Sequence, residues 1–186
     1  MLKVIDTPFA GLKIIEPAVY QDSRGYFFES WKKSAFEEAG LICDFIQDNE
    51  SLSSYGVIRG LHWQAAPYAQ TKLLRAVTGK IWDVVVDLRR NEPTYGQYYG
   101  VELSAENHRQ FYIPKGFAHG FAVLSPQAVV NYKVDAPWVR SAERCIRCDD
   151  TTLAIEWPVV AADRILSDKD LKGMTWMECQ ASQEGF

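Results

Sequence analysis

At 186 residues, 47% hydrophobic and 24% charged, the chain is long enough to bury a real core and suits one soluble globular domain. Its 20 basic and 24 acidic residues are interspersed, giving a net charge of −4. That excludes the basic footprint of a nucleic-acid binder, and an anionic ligand must be met by locally gathered arginines and lysines. No apolar run reaches the length of a signal peptide or a membrane span.

Val4 to Tyr20 offers short apolar pieces broken by Pro8, Gly11 and Pro17, the pattern of edge strands or a crossing arm. Asp22-Ser-Arg-Gly25 is a turn signature leading into Tyr26 to Trp31, rich in strand formers. Ser34 to Gly40 reads as a short helix, with Ser34 as N-cap and Gly40 just past its end. From Phe45 the pattern is strand after strand. Lys72 to Val77, a Thr78-Gly79 turn and Ile81 to Leu88 predict a hairpin, and Tyr98 to Leu103 with Gln110 to Ile113 predict another. Phe117 to Leu124, Ala128 to Val134 and Glu143 to Arg147 continue the run. Many short strands and one helix predict a β-sandwich or barrel. Asp163 to Trp176 predicts a short helix packed on the outside, and residues after Gln180 are expected to fray.

The most informative stretch is Gly56 to Gln64, Gly-Val-Ile-Arg-Gly-Leu-His-Trp-Gln. Val57, Ile58, Leu61 and Trp63 suit a half-buried strand, in which Arg59 and His62 would face opposite sides because their spacing is odd. Gly60 between them can take a bulge or positive-φ geometry that brings both heads to one face. Taken alone, the stretch fits a core histidine beside a surface arginine equally well. His119 stands at the start of a strand set by the Pro114–Gly116 turn, whereas His108 lies in a polar turn and should be solvated. Asp83 and Asp87 share one face of an otherwise apolar strand, so one of them is expected to be buried and paired. Glu29 and Lys72 alone would pass as surface charges, and Tyr132 alone as core. Cys145-Ile-Arg-Cys148 has no second pair to complete a zinc site and no helix start to suggest a redox motif. Four scattered cysteines point to reduced thiols in a cytoplasmic protein. The sequon at Asn49 would be empty there.

Gly56 with His62, and Pro114, Gly116 and His119, resemble the paired motifs of the cupin superfamily, small double-sheet barrels of jelly-roll type. Gln64 stands where the first motif has its second histidine, and Tyr68 or Ala69 where it has a glutamate. Two histidines and an amide fall short of a divalent-metal set, so the resemblance implies a metal-free cupin with His62 available as a base.

A narrower resemblance covers nearly the whole chain. Asp22-x-Arg-Gly-x-Phe-x-Glu29, Gln47-Asp-Asn-x-Ser51, Arg59-Gly-Leu-His-x-Gln64, Lys72-Leu, Asp83-Val-x-Val-Asp-Leu-Arg89, Ile113-Pro-x-Gly-Phe-Ala-His-Gly-Phe121, Asn131-Tyr132 and Leu166-Ser-x-Lys-Asp170 resemble the dTDP-4-dehydrorhamnose 3,5-epimerases. The resemblance implies a mainly β, cupin-type double-sheet jelly-roll barrel with a few short peripheral helices. It implies one domain over 1–186, with an arm and dimer strands over 1–50, a barrel core over 51–150 and a tail over 151–186. It implies a cytoplasmic homodimer, without cofactor or metal, that epimerises dTDP-4-keto-6-deoxyglucose on the route to dTDP-L-rhamnose for cell-wall polysaccharide.

By the same resemblance His62 is the general base, Tyr132 the acid that returns a proton, and Lys72 the stabiliser of the enolate oxygen. Asp170 is the carboxylate that orients His62, with Asp168 as its competitor. Arg24, Glu29, Gln47, Asn49, Arg59, His119, Glu143 and Lys169 line the nucleotide and sugar subsites. Trp138 stands where the family has a tyrosine that stacks on thymine, and indole offers the same flat face. These roles suit the chemistry. Epimerisation beside a ketone needs a base near pKa 7, charge stabilisation at the ketone oxygen, and arginines for a diphosphate. Three readings compete: a 3- or 5-epimerase of another deoxysugar, a non-catalytic carbohydrate-binding β-sandwich, and a metal-dependent cupin.

Overall fold

Alternating apolar residues flanked by turn formers become strands because the pleat sends successive side chains to opposite faces, so one face can be buried. The computed structural model describes residues 2–182 and 186. Among the described residues the N-terminal part holds β1 (Lys3–Asp6), β2 (Lys13–Glu16), the hairpin of β3 (Tyr20–Asp22) and β4 (Gly25–Phe27), and α1 (Lys33–Glu38). Next come β5 (Gln47–Ser54), β6 (Ile58–Gln64), β7 (Lys72–Thr78), β8 (Lys80–Asp87) and β9 (Tyr98–Ser104). The chain continues with β10 (Gln110–Ile113), β11 (Phe117–Val123), β12 (Gln127–Val134) and β13 (Glu143–Cys145). It ends with α2 (Asp168–Leu171) and α3 (Trp176–Ala181). None of the described helices is long and apolar enough to cross a membrane.

Two sheets form the body, in the orders β1-β2-β10-β7-β12-β5 and β13-β6-β11-β8-β9. The antiparallel pairs nest: β8 with β9, β7 with β10, β6 with β11 and β5 with β12. This is a long ribbon folded over its β8–β9 tip and wrapped into a jelly roll. The fold class read from the sequence therefore holds. The two expected hairpins do not, because β7 and β8 lie in different sheets, as do β9 and β10. Gly79, at φ +72°, turns the chain from one sheet to the other.

Two apolar layers explain the run of valines in β8. Ile81 and Val85 face the space between the sheets, with Leu74, Leu103, Phe111, Phe121 and Val130. Val84 and Val86 face outward, under a cover that includes Trp157, Val159 and Trp176 from the C-terminal segment. A strand buried on both faces reads as continuously apolar. Each large side chain so buried contributes about 1.5–3 kcal/mol, which offsets the cost of also burying Asp83 and Asp87 on the inward face. Both are paired, where one was expected: Asp83 with His119 and Asp87 with Arg89.

Four smaller expectations are corrected. Lys32, rather than Ser34, occupies the N-cap of α1, with no side-chain cap, while Gly40 does follow the helix at φ +78°. His108 is not simply solvated but packs against the rings of Tyr26 and Phe28 at 4.6 and 5.2 Å. The segment 163–176 does not lie wholly on the outside, since α2 turns Asp170 inward. The fraying expected after Gln180 falls partly on residues 183–185, outside the described residues. Phe186 itself is tied down by backbone hydrogen bonds with Leu88 and Arg90.

Candidate active site

One end of the barrel opens into a cavity of about 580 Å³, a size that suits a small organic ligand. The residues around it follow from the strand pleat and one irregularity. Along β6, Ile58, Leu61 and Trp63 all point into the outer apolar layer, although 58 and 61 are an odd number apart. Opposite β11, the register passes from Arg59↔Phe121 to His62↔His119, so β6 carries one extra residue. Gly60, at φ +120°, absorbs it. The bulge expected from the sequence is therefore present, and Arg59 and His62 both line the cavity.

His62 Nε2 lies 2.6 Å from Asp170 Oδ1. Asp170 is buried and reaches the cavity from the single turn of α2. Ser167 caps that turn, accepting a hydrogen bond from the Asp170 backbone N–H and donating from its hydroxyl to Oδ2 at 2.7 Å. Burial pushes the Asp170 carboxyl up, but the hydrogen bonds from His62 and Ser167 outweigh it and hold it below its ordinary range. An ionised carboxylate only accepts, so Nε2 carries a proton, and Nδ1 is the nitrogen whose lone pair is available in the neutral ring. Asp168, the competing carboxylate, is exposed in the same turn, and it is Asp170 that meets His62.

A second imidazole–carboxylate pair lies deeper. His119 Nε2 lies in hydrogen-bond contact with Asp83 Oδ1 and Oδ2 at 2.9 and 3.0 Å. Burial lowers the His119 pKa and raises that of Asp83, so both are pushed toward their neutral forms while the hydrogen bond opposes the change. Lys72, from β7 in the opposite sheet, also lines the cavity. Burial pushes its ammonium down to about 8, although Asp83 and Glu143 nearby favour the charge. Burial likewise raises the Tyr132 phenol, against the pull of Arg59, so it stays protonated and able to donate at neutral pH.

The mouth is built by the loop before β13. The Gln64 amide donates to the carbonyls of Tyr68 and Pro137 at 2.8 and 3.0 Å and accepts from the Val139 backbone N–H at 2.5 Å. That explains a residue standing where the cupin motif has a histidine: its polar atoms hold the loop that presents Trp138. The Trp138 side chain is half-exposed at the rim. Beside it, Glu143 accepts from Lys169 Nζ at 2.5 Å. Burial pushes the Glu143 carboxyl up, but the Lys169 hydrogen bond and charge, with smaller help from Trp138 and His62, together hold it low.

The cavity thus brings together His62, Asp170, Tyr132, Lys72, Arg59, His119, Trp138, Glu143 and Lys169. It does not bring in Arg24, Glu29, Gln47 or Asn49. Arg24 is 88% exposed on the β3–β4 turn, ion-paired with Asp22, and Glu29 lies in a separate groove against α1. Gln47 and Asn49 hydrogen-bond each other on the edge strand β5, beyond the cavity's rim. Sequence reasoning missed Ser51, Gln70 and Ser167, which also line the cavity. Of these, Ser167 had a signal in its N-cap position before the acidic residues Asp168 and Asp170 of α2.

A family model described as dTDP-4-dehydrorhamnose 3,5-epimerase matches residues 6–178. The chain is 48% identical over 178 residues to the dTDP-4-dehydrorhamnose 3,5-epimerase of Shigella flexneri, covering 95% of this chain and 97% of that one. A crystal structure of the Elizabethkingia anophelis dTDP-4-dehydrorhamnose 3,5-epimerase superposes with a TM-score of 0.91 at 49% identity, covering 95% of this chain and 97% of that one. The Legionella pneumophila dTDP-6-deoxy-D-glucose-3,5-epimerase, solved with dTDP-4-keto-L-rhamnose, superposes at 0.90 with 45% identity, covering 94% and 93%. Continuous similarity of this kind, on top of the shared fold and the His62–Asp170 cavity, shows that the chain belongs to the dTDP-4-dehydrorhamnose 3,5-epimerase family.

Proposed function

We infer that this protein is the epimerase that converts dTDP-4-dehydro-6-deoxy-D-glucose to dTDP-4-dehydro-L-rhamnose by inverting C3 and C5. The observation that carries the reading is the meeting of the His62–Asp170 pair with Tyr132 and Lys72 in one cavity. Each group suits one part of the reaction. His62, with Asp170 on Nε2, takes the proton from the carbon beside the ketone through Nδ1, and Asp170 stabilises the imidazolium that forms. The carbon–hydrogen electron pair moves toward the ketone oxygen, where the Lys72 ammonium meets the developing charge. Tyr132, protonated, returns a proton from the other face. His119, neutral and held by Asp83, is placed to hydrogen-bond the sugar.

Arg59 suits the diphosphate, since a guanidinium gives charge-assisted, bidentate contacts to phosphate oxygens. Trp138 at the rim suits stacking on thymine, with Glu143 and Lys169 beside it. Arg24, Glu29, Gln47 and Asn49 complete the nucleotide end in a homodimer. The exposed rings of Tyr20, Tyr26 and Phe27 on the β3–β4 hairpin, and the open edge of β5 with its exposed Leu52, support that assembly. In this reading residues 1–50 are the dimer arm, 51–150 the barrel and 151–186 a tail that supplies Asp170, and the enzyme works in the cytoplasm.

The test is incubation of purified protein with dTDP-4-dehydro-6-deoxy-D-glucose, with the product read by NMR. Inversion at both C3 and C5 is expected. Inversion at one carbon would make it a monoepimerase of another deoxysugar route, and binding without turnover would make it a carbohydrate-binding module.

A further inference from the structure

The mechanism leaves one metal-binding side chain unused beside its base. Cys145 stands directly opposite His62 in the β13–β6 ladder, and its buried Sγ lies 3.8 Å from Asp170 Oδ1. A ring nitrogen of His62, Cys145 Sγ and a carboxylate oxygen of Asp170 all fall within 4.8 Å of one another. These are three different metal-binding groups close together: His62 and Asp170 line the cavity, and Cys145 is buried behind them. We propose that His62, Cys145 and Asp170 form a site for a thiophilic divalent cation such as Zn²⁺, and that occupancy of this site shuts the enzyme down.

The geometry is close to what zinc requires. Bonds of about 2.0–2.3 Å arranged tetrahedrally place ligand atoms about 3.3–3.8 Å apart. The sulfur–oxygen edge already has that length, the 2.6 Å nitrogen–oxygen edge has to open by about 0.7 Å, and the nitrogen–sulfur edge lies within 4.8 Å. Opening the nitrogen–oxygen edge requires the His62 ring, whose side chain is 27% exposed, to turn away from Asp170. The fourth ligand is water from the cavity. Burial raises the Cys145 thiol to about 12, so it stays protonated and inert until a cation draws off its proton.

Loss of activity follows from proton accounting. The cation takes the Nε2 lone pair of His62 and displaces its proton to Nδ1, the Cys145 thiol proton leaves to solvent, and Asp170 binds as the carboxylate it already is. Nδ1 is then protonated, so neither ring nitrogen can accept the substrate's proton. This consequence rests on His62 being the base, whereas binding of the cation does not.

The two parts are tested separately. Without substrate, one equivalent of Co²⁺ should give a sulfur-to-cobalt charge-transfer band with wild type, and Cys145→Ala should lose it. With substrate, Zn²⁺ should inhibit wild type reversibly, a chelator should restore full activity, and Cys145→Ala should be at least tenfold less sensitive. Cys145→Ser, closer in size, serves if the alanine variant melts early, and either variant should turn over at near wild-type rates without metal. No cobalt band, or a band unchanged by both substitutions, overturns the site. A band that depends on Cys145 with zinc inhibition equal in all three proteins overturns the inhibitory role while leaving the site standing. If turnover is absent altogether, the epimerase reading falls and the cobalt result still decides the site.

Discussion

Lys72 offers a prediction whose size comes from its surroundings. Burial lowers its ammonium to about 8, so at pH 7 about nine in ten molecules carry the charge that the enolate oxygen needs, and at pH 9 about one in ten do. Wild-type turnover should therefore fall about tenfold between pH 7 and 9. Lys72→Met keeps most of the volume and removes the charge. Loss of a preorganised donor at a developing oxyanion costs about 10²- to 10³-fold in kcat, or about 2.7–4 kcal/mol. The variant should show that loss at pH 7 and should no longer decline with a midpoint near 8. Stability moves the other way. The unfolded lysine holds its proton up to 10.5 and the folded one only to about 8, so wild-type stability rises with pH across that window. The full displacement corresponds to about 3 kcal/mol, reduced to about 1–3 because Lys72 borders the open cavity. Lys72→Met should thus melt higher than wild type at pH 7, with the gap closing toward pH 10.5. Turnover within threefold of wild type, or an unchanged alkaline decline, would refute the role of Lys72.

The other predictions concern the base's partner, the assembly and the nucleotide end. Asp170→Asn should lower kcat about 10²- to 10⁴-fold in steady-state assays with little change in KM, because the imidazolium loses its counter-charge; a purely structural carboxylate would leave kcat intact in protein that still folds. Sedimentation equilibrium should give twice the 21.1 kDa of one chain, and Phe27→Ser should weaken the association; a stable, active monomer would contradict the shared-site reading. Trp138→Ala should raise KM about 5- to 100-fold while kcat stays within threefold, as expected for stacking on a base remote from the chemistry; an unchanged KM would remove the thymine subsite from the rim.

What the sequence disclosed depended on whether the signal was local. Gly60 between Arg59 and His62 signalled a bulge because only an extra residue puts an odd pair on one face, and β6 carries it. Asp83 and Asp87 signalled burial because they interrupt an apolar face at spacing four. The hairpins failed for the opposite reason. Turn formers at Thr78-Gly79 and after Ser104 mark where the chain reverses, but not whether the flanking strands stay in one sheet. In this jelly roll most neighbours in sequence are split across two. The same limit hid the direction of α2, whose four residues carry too little pattern to show that Asp170 points inward. Gln64 shows what a motif position alone misses: its amide is spent on the backbone of the Trp138 loop, a use visible only once 64 and 137–139 are side by side. Arg24 and Glu29 matched a motif, yet no sequence pattern says that they lie away from their own chain's cavity.

The central claim is that His62 begins the reaction by taking a proton from carbons beside the ketone. The direct measurement follows solvent deuterium into dTDP-4-dehydro-6-deoxy-D-glucose by NMR, for wild type, His62→Ala and Tyr132→Phe. Wild type should incorporate deuterium at C3 and C5. Tyr132→Phe should turn over at least about 10²-fold more slowly yet retain partial exchange, since it loses the donor and keeps the base. His62→Ala, folded and melting within a few degrees of wild type, should exchange at neither carbon. Exchange at C5 by His62→Ala at near wild-type rate would contradict the assignment and pass the role of base to His119.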